Sequence, residues 1–164
     1  IRMENKLTFR DAERKDIPLV LSFIRQIAEY EKMSDAVIAD EKTLEKYIFD
    51  QKKAEVFFAM EDNKEIGFAL YYFNFSTFVG RSGLYLEDVF IKEEYRHKGY
   101  GKEILKKLAE KARDLNCGRM EWVCLNWNRP SIAFYTSLGA IPMSDWTTYR
   151  LDEKGIRNLA EKEF

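Results

Sequence analysis

A short segment rich in glycine and basic residues is the part of the sequence best suited to chemistry. It runs from Arg96 to Lys102, follows the apolar stretch Leu84–Ile91 and precedes an amphipathic stretch with helical spacing. The first backbone N–H groups of a helix have no partner within the helix, and the helix dipole adds partial positive charge there. Gly99 and Gly101 can adopt positive φ and let a ligand approach the backbone. The segment is therefore predicted to bind an anion such as a pyrophosphate.

Side-chain cations surround the same point, and spacing excludes two familiar phosphate loops. Arg96, Lys98 and Lys102 can each contact an anion, and His97 either does so when protonated or faces solvent. A P-loop needs a glycine five residues before its Gly-Lys pair and a hydroxyl residue after it, where this chain has Arg96 and Glu103. A dinucleotide-binding loop needs a third glycine at position 104, which is isoleucine. Arg-x-x-Gly-x-Gly between a strand and a helix remains, and its glycines either admit a ligand or only shape a tight turn.

A second predicted helix begins after a second predicted parallel strand. Asn128 is placed as its N-cap, Pro130 suits its first turn, and Gly139 follows its last residue as a stop. The helix is therefore expected over residues 131–138 and carries Phe134 and Tyr135. Both ends of this short helix are thus marked in the sequence.

The two segments together resemble the acetyl-CoA motifs of the GCN5-related N-acetyltransferases. Residues 96–101 resemble the family's phosphate-binding loop, and residues 128–140 resemble its second acetyl-CoA motif. With the run Leu86, Glu87, Asp88, Val89, the sequence is similar to the diamine (spermidine/spermine) N-acetyltransferase branch and its thialysine-acetylating relatives, from about residue 10 to about residue 151. The resemblance implies transfer of an acetyl group from acetyl-CoA to a primary amine by direct attack in a ternary complex. It also implies a homodimer, for which the aromatic stretch 68–78 supplies either an interface or core.

The resemblance further implies an acetyl-CoA site, while two other classes of function stay open. A CoA-sensing module without chemistry and an acetyltransferase for peptide N-termini would carry the same loop. Main-chain groups of the strand over residues 84–91 are expected to pair with the pantetheine arm. The expected acetyl-CoA contacts are Val89, Phe90, Ile91, Arg96, His97, Lys98, Gly99, Tyr100, Gly101, Lys102, Asn128, Pro130, Ser131, Phe134 and Tyr135.

Three residues have predicted roles in acetyl transfer, which requires a neutral amine, a polarised carbonyl group and a proton for the departing thiolate. Glu87 interrupts an apolar strand and is the predicted proton acceptor, directly or through water, the alternative being a salt bridge to a neighbouring basic residue. Tyr135 matches the family's general-acid tyrosine, unless it and Phe134 are only core aromatics. The backbone N–H of Val89, in a strand that carries a β-bulge in the family, is expected to polarise the carbonyl.

The predicted amine site is acidic. Tyr30 and Glu31 match a Tyr-Glu pair that contacts the amine in the diamine branch. Glu29 and Asp88 are expected to add negative potential. A solvated acidic face is the alternative interpretation. Polyamine-acetylating relatives have an acidic residue and a tryptophan where this chain has Ser76 and Phe78, so a lysine analogue or a diamine is at least as well supported as a polyamine.

The apolar pattern predicts the elements that position these residues. Asp16 is expected to cap the first helix, and Leu115 is expected to be buried by the third. The expected fold is α/β, a mixed and mostly antiparallel sheet with helices on both faces and one parallel, splayed strand pair that holds acetyl-CoA. Helices are expected over residues 17–28, 40–49, 102–115 and 131–138, strands over 7–10, 56–60, 66–75, 84–91 and 120–125, a last hairpin over 141–143 and 147–151, and a polar tail with weak helical character over 153–164.

Composition limits the function classes. The 164 residues are expected to form one domain, with Ile1 and Arg2 as a cloning remnant before Met3. The 27 basic and 28 acidic residues nearly cancel, so neither nucleic acid nor a membrane is expected as a partner. No run has transmembrane length, and no signal or transit pattern is present, which favours the cytoplasm. Two cysteines and one histidine argue against a disulfide scaffold, a metal site and a Ser-His or Cys-His triad.

Overall fold

The computed structural model describes residues 7–164, which form two compact units, the first ending at Val123 and the second comprising Cys124–Phe164. The expectation for Ile1 and Arg2 lies outside the described residues. The helices of the first unit are α1 (Ile17–Tyr30), α2 (Glu41–Glu45), which continues as a π-helical turn over Lys46–Asp50, and α3 (Tyr100–Asp114). Short 3₁₀ turns lie at Arg14–Asp16, Ser34–Ala36 and Glu93–Tyr95, and the second unit contains α4 (Arg129–Ser137) and α5 (Glu153–Ala160).

One five-stranded sheet forms the first unit, with its strands side by side in chain order. The first four strands pair antiparallel, whereas the last pair is parallel and joins Leu84 to Met120 and Tyr85 to Glu121. This arrangement confirms the predicted mixed sheet with a single parallel pair. The strands are β1 (Thr8–Asp11), β2 (Glu55–Glu61), β3 (Lys64–Ser76), β4 (Arg81–Ile91) and β5 (Met120–Glu121).

Helix α1 packs on one face of this sheet. The apolar residues of α1 recur with helical spacing and form one face of the helix. Phe23 on this face contacts side chains from alternate positions of the strands, which point to the same side of the sheet. The Phe23 ring lies 6.2 Å from Phe58, 5.4 Å from Phe68 and 5.2 Å from Phe90, measured between ring centroids. Each of these four side chains is buried, and full burial of a phenylalanine contributes roughly 1.5–3 kcal/mol.

Helix α3 lies on the opposite face. The ammonium groups of Lys107 and Lys111 lie over the rings of Phe9 and Tyr71, at 5.9 Å in each case. The predicted core residues of α3 at positions 104, 105, 108 and 112 are buried, which places helices on both faces of the sheet as expected. Leu115 is 61% exposed, so its predicted burial is wrong. The helix ends at Asp114, and Leu115 therefore leaves the buried stripe.

The later part of the chain departs most from the prediction. The strand expected over residues 120–125 is paired only at Met120–Glu121. The last hairpin does not form, because Pro142 has no N–H for a ladder and a turn closes from the Met143 carbonyl to the Trp146 N–H at 3.2 Å. The tail forms the full helix α5, whose N-cap Asp152 accepts the Gly155 N–H at 2.8 Å.

An ion-pair cluster ties the start of α1 to the sheet. Asp16 precedes α1 as predicted, but its carboxylate makes no capping bond to that helix and instead accepts the Glu13 N–H at 2.7 Å. The Arg10 guanidinium donates to both Asp16 oxygens at 2.8 and 2.9 Å and to Glu65 at 2.8 Å. The hydrogen bonds from Arg10 hold the pKa of Asp16 below its usual value.

We predict that Asp16→Asn lowers the free energy of unfolding at pH 7 by about 1–3 kcal/mol, since it removes the charged partner of Arg10 from a partly buried pair. Because the folded-state pKa of Asp16 is depressed, its contribution is present above the unfolded-state value of 3.8 and is lost as pH falls through the folded value. Urea unfolding at neutral and acidic pH measures both effects.

The matched control is Asp50→Asn, which breaks an exposed pair with Arg14. This pair is solvated on both sides, so the substitution should change stability little. An equal loss in the two variants, or a loss in Asp16→Asn that persists undiminished in acid, would contradict the role of the Arg10 cluster.

Candidate active site

The basic segment joins β4 to α3, as predicted, and α3 begins at Tyr100. Gly99 is the N-cap with φ 82°, and a Cβ built there would meet nothing within 4 Å. Glycine is therefore favoured at this position by its backbone angle and not by crowding. His97 also has positive φ, at 65°, whereas Gly101 lies in the first turn of α3 and is not among the described glycines with positive φ. The structure thus requires a left-handed backbone at Gly99 but not at Gly101.

Arg96 connects the end of β4 to the end of α1. Its Nε donates to the Ile91 carbonyl at 2.9 Å. Its guanidinium lies 5.7 Å from the ring of Phe90 and 5.8 Å from the ring of Tyr30. A hydrogen bond and two aromatic rings therefore fix this cation at the entrance to the loop.

A cleft in the first unit opens beside Arg96. It has a volume of about 590 Å³. It contains cations and carboxylates within one space, so it suits a ligand that carries both signs of charge or a cation next to an anion. Its lining residues are Gln26, Glu29, Tyr30, Phe90, Lys92, Glu93, Glu94 and Arg96.

Glu61 lies beneath the loop and is not among the site residues that the sequence predicts. The Tyr100 hydroxyl donates to Glu61 Oε2, and the Lys98 ammonium lies 3.6 Å from Glu61 Oε1. Glu61 ends β2 after a run of buried residues and is itself buried. A charged residue at the end of an apolar strand is the only sequence signal for it, and strand ends are commonly charged because they reach solvent.

A β-bulge interrupts β4 at Glu87. In the ladder with β3, Leu70 is opposite Asp88 while the next residue, Tyr71, is opposite Leu86, which leaves Glu87 as the additional residue. The expectation of a bulge in this strand is confirmed. An additional residue shifts the alternation of side chains by one position, so Asp88 shares the face of Tyr85.

Three carboxylates gather at the bulge. Burial first, and then the charges of Glu87 and Glu31, raise the pKa of Asp88 to about 6. Burial also raises the pKa of Glu31. Within residues 7–164 no ion pair joins Glu87 or Asp88 to a basic side chain, so the predicted alternative of a salt bridge is not observed. This cluster, Glu31, Glu87 and Asp88, would be stabilised by a cation.

Two phenol rings extend the same cluster. The rings of Tyr72 and Tyr85 lie 5.0 Å apart, at a cross-strand pair of β3 and β4. Burial raises the pKa of each phenol, and the nearby charge of Glu87 raises it further. Protonated phenols and π faces next to carboxylates favour an ammonium group with an apolar stem.

The remaining predicted site residues lie in the second unit, on and before α4. The Asn128 side chain accepts the Ser131 N–H at 3.4 Å, and Pro130 occupies the first turn, as predicted. Gly139, with φ 90°, follows the helix. The Tyr135 ring lies 5.5 Å from that of Phe134, between centroids. The local structure of the second predicted motif is therefore that of a capped helix with a left-handed stop.

Comparisons with known proteins agree with this geometry. A sequence profile of the acetyltransferase (GNAT) family matches residues 22–140. A thialysine N-epsilon-acetyltransferase of Sus scrofa is 37% identical over 165 residues, covering 93% of this chain and 96% of that protein. A spermidine/spermine N(1)-acetyltransferase-like protein 1 of Homo sapiens is 32% identical, covering 94% of this chain and 24% of that protein. A solved integron cassette protein from V. cholerae has a TM-score of 0.78 and 28% identity, covering 95% of this chain and 98% of its own.

The chain therefore belongs to the acetyltransferase (GNAT) family. The family and the branch inferred from the two motifs are confirmed by these relatives. The extensive match to N-acetyltransferases over most of the chain makes this protein an N-acetyltransferase that uses acetyl-CoA.

We predict that Asp88→Asn removes a pH dependence from kcat/KM for the amine substrate. Since the pKa of Asp88 is raised to about 6, the carboxylate gains charge as pH rises through that value, and kcat/KM for a cationic amine should rise with it. In the variant this limb should disappear and the KM for the amine should rise about tenfold, with the KM for acetyl-CoA unchanged. Steady-state kinetics from about pH 5 to about pH 9 would measure both.

The same substitution should also stabilise the protein at pH 7, by roughly 1–2 kcal/mol. Because the folded-state pKa of Asp88 is raised, ionisation of this carboxyl destabilises the folded protein as pH rises from the unfolded-state pKa of 3.8 to about 6. The control is Asp114→Asn, an exposed change at the end of α3, which should alter neither the kinetics nor the stability. A variant that loses activity and is also less stable at pH 7 would contradict this description of Asp88.

Proposed function

We propose that this protein acetylates the terminal primary amine of a small cationic molecule, a lysine analogue or a diamine, with a polyamine as a further candidate. The observation that carries the proposal is the carboxylate cluster Glu31, Glu87 and Asp88 in the same unit as the basic loop. The loop suits an anionic cosubstrate, and the cluster suits a cationic acceptor. The names of the similar proteins, which include a thialysine acetyltransferase, support the lysine-like acceptor.

The proposed acetyl-CoA site uses both motifs. The N-terminus of α3 and the cation of Arg96 fit a diphosphate, because they offer N–H donors, partial positive charge and a fixed guanidinium. We assign the remaining contacts to main-chain groups of Val89, Phe90 and Ile91 and to the residues around α4. The pairing of β4 with β5 ends at Tyr85, and the later part of β4 pairs only with β3 among the described strands. This free edge suits pairing with a pantetheine arm.

Glu87 is the proposed proton acceptor. A primary amine has a pKa of about 10.4 and must lose a proton before its nitrogen can attack a thioester. Glu87 is exposed at the bulge and has no basic partner in the described structure, so its carboxylate can accept this proton directly or through one water. Glu31 and Asp88, with Tyr30 beside them, would hold the remaining positive charge of the substrate.

Tyr135 is the proposed proton donor. When bound, acetyl-CoA supplies the acetyl thioester, and the sulfur must gain a proton as the carbon–sulfur bond breaks. A phenol is protonated at neutral pH and can donate one. The backbone N–H of Val89, beyond the bulge, is the proposed hydrogen-bond donor to the carbonyl oxygen.

We also propose the domain organisation, the oligomeric state and the location of the enzyme. The family profile spans both units, which supports a single acetyltransferase domain over the chain. Of the aromatic stretch proposed for the homodimer, Phe68 is buried in the core whereas Phe75 and Phe78 are 67% and 91% exposed, so these two would contribute to an interface. The balanced charge supports a cytoplasmic enzyme without nucleic-acid or membrane partners.

Two structural findings bear on membranes and metals. None of the helices within residues 7–164 has the length and apolarity that crossing a bilayer requires. Over the same range, no group of three or more His, Cys, Asp or Glu side chains is arranged to hold a metal ion.

We predict CoA release with lysine analogues and diamines, a lower rate with polyamines and no release with short peptides. A thiol-detection assay over these four acceptor classes tests the substrate assignment. Binding of CoA without release in any class would support the CoA-sensing alternative, and release with peptides alone would support N-terminal acetylation.

Two variants test the catalytic assignments. Tyr135→Phe should lower kcat by roughly 10²- to 10⁴-fold with little change in affinity for acetyl-CoA, because only the proton donor is lost.

Glu87→Gln should lower kcat and move the pH optimum upward, since the amine must then lose its proton to solvent. Tyr149→Phe and Glu41→Gln, at exposed positions, are the controls for each change. An unchanged rate in Tyr135→Phe or Glu87→Gln would remove the corresponding role.

A further inference from the structure

A buried carboxylate beside the basic loop has no place in the reaction described above. Glu61 is 4% exposed, accepts the Tyr100 hydroxyl on Oε2 and lies 3.6 Å from the Lys98 ammonium through Oε1. An isolated buried carboxylate is costly, and it persists only where charged or hydrogen-bonding partners surround it. We call Glu61, Lys98 and Tyr100 the Glu61 clamp.

The clamp holds the loop at two points that flank its left-handed turn. Lys98 precedes Gly99, which has φ 82°, and Tyr100 follows it as the first residue of α3. His97, one residue earlier, has φ 65°, a conformation that costs a residue with a Cβ about 1–2 kcal/mol. Anchors on both sides of Gly99 thus fix a backbone segment in a conformation that is costly for a residue with a Cβ.

The chemistry of the partners suits a structural contact and not a proton transfer. Burial, followed by the bond to Glu61, raises the pKa of Tyr100 to about 12, so the phenol remains a donor at neutral pH. The Tyr100 side chain is buried and cannot reach a ligand outside the loop without leaving Glu61. The Lys98 ammonium lies 3.6 Å from Oε1, so Glu61 holds the end of this side chain at the loop.

We propose that Glu61 is a positioning residue for acetyl-CoA, which holds Lys98 and Tyr100 so that the N–H groups at the start of α3 stay directed at the diphosphate. Glu61 itself does not touch the cosubstrate. The proposal rests on the proposed function, because it assumes that this loop binds CoA. It adds a residue from β2, 37 positions before Lys98 in the chain, to the machinery of the site.

The test compares Tyr100→Phe and Glu61→Leu with the wild type, since an amide at position 61 would still accept the Tyr100 hydroxyl. Isothermal titration with CoA should give a Kd that rises about tenfold in each variant, while kcat at saturating acetyl-CoA and the KM for the amine stay within about twofold of the wild type. The Kd of the double variant for CoA should not exceed that of the single variant that binds CoA more weakly, since both changes disrupt the same clamp. Tyr95→Phe is the matched control, because it keeps the ring that lies 5.2 Å from the Lys98 ammonium and should leave the Kd unchanged.

A second measurement separates positioning from general stability. Amide hydrogen exchange of the free protein should become faster at residues 97–103 in Tyr100→Phe, with protection of β2 and β3 retained. Wild-type binding of CoA with an unchanged Kd and unchanged exchange in both variants would overturn the clamp and leave the proposed function intact. A wild type that binds no CoA would overturn both. A fall in kcat with an unaltered Kd for CoA would also overturn positioning.

Discussion

The additional residue in β4 is the constraint on which the site depends. A strand alternates its side chains between two faces, and here one face carries the core under α1 while the other carries the core under α3. A regular strand would place Glu87 with Tyr85 and send Asp88 to the face of Leu86. The bulge at Glu87 resets the alternation, so that Asp88 is opposite Leu70 and Phe90 returns to the core under α1. Glu87 and Asp88 can then contribute to one site, and neither carboxylate enters the core under α3.

The bulge and the loop that follows it place negative and positive charge at two separate points within a short length of chain. The acidic cluster lies at the bulge, and the basic loop begins at Arg96, only eight residues after Asp88. Arg96 is held by the Ile91 carbonyl and by the rings of Phe90 and Tyr30, so it stays on the anion side and does not neutralise the carboxylates. Burial and then the charges of Glu87 and Glu31 raise the pKa of Asp88, and within residues 7–164 no ion pair offsets them. The protein thus gives up stability to keep an unsatisfied negative charge available to a cationic substrate.

Local signals explain what the sequence could predict. Asn128, Pro130 and Gly139 mark the ends of α4 through bonds within a few residues, and the glycine and basic residues of the loop act in the same short-range way. Contacts between distant residues could not be found in this manner. The bond from Tyr100 to Glu61 joins positions 39 apart, and the charge at the end of β2 resembles any solvated strand end. The failed hairpin over residues 141–151 has the apolar alternation of strands, but Pro142 removes a ladder donor and no pattern in the sequence reports a partner strand.

A carboxylate next to an anion-binding loop looks unfavourable, but its surroundings remove most of the conflict. Glu61 faces the ammonium of Lys98 and the hydroxyl hydrogen of Tyr100, one positive and one partially positive group. The carboxylate is thus neutralised before any phosphate arrives, and its field at the loop surface is weakened. What it retains is directional bonding, which a lysine or an apolar residue at the same position could not supply to the Tyr100 hydroxyl. A fixed backbone around Gly99 then lets the helix N-terminus act on an anion without reorganisation, which is how a preformed site gains affinity.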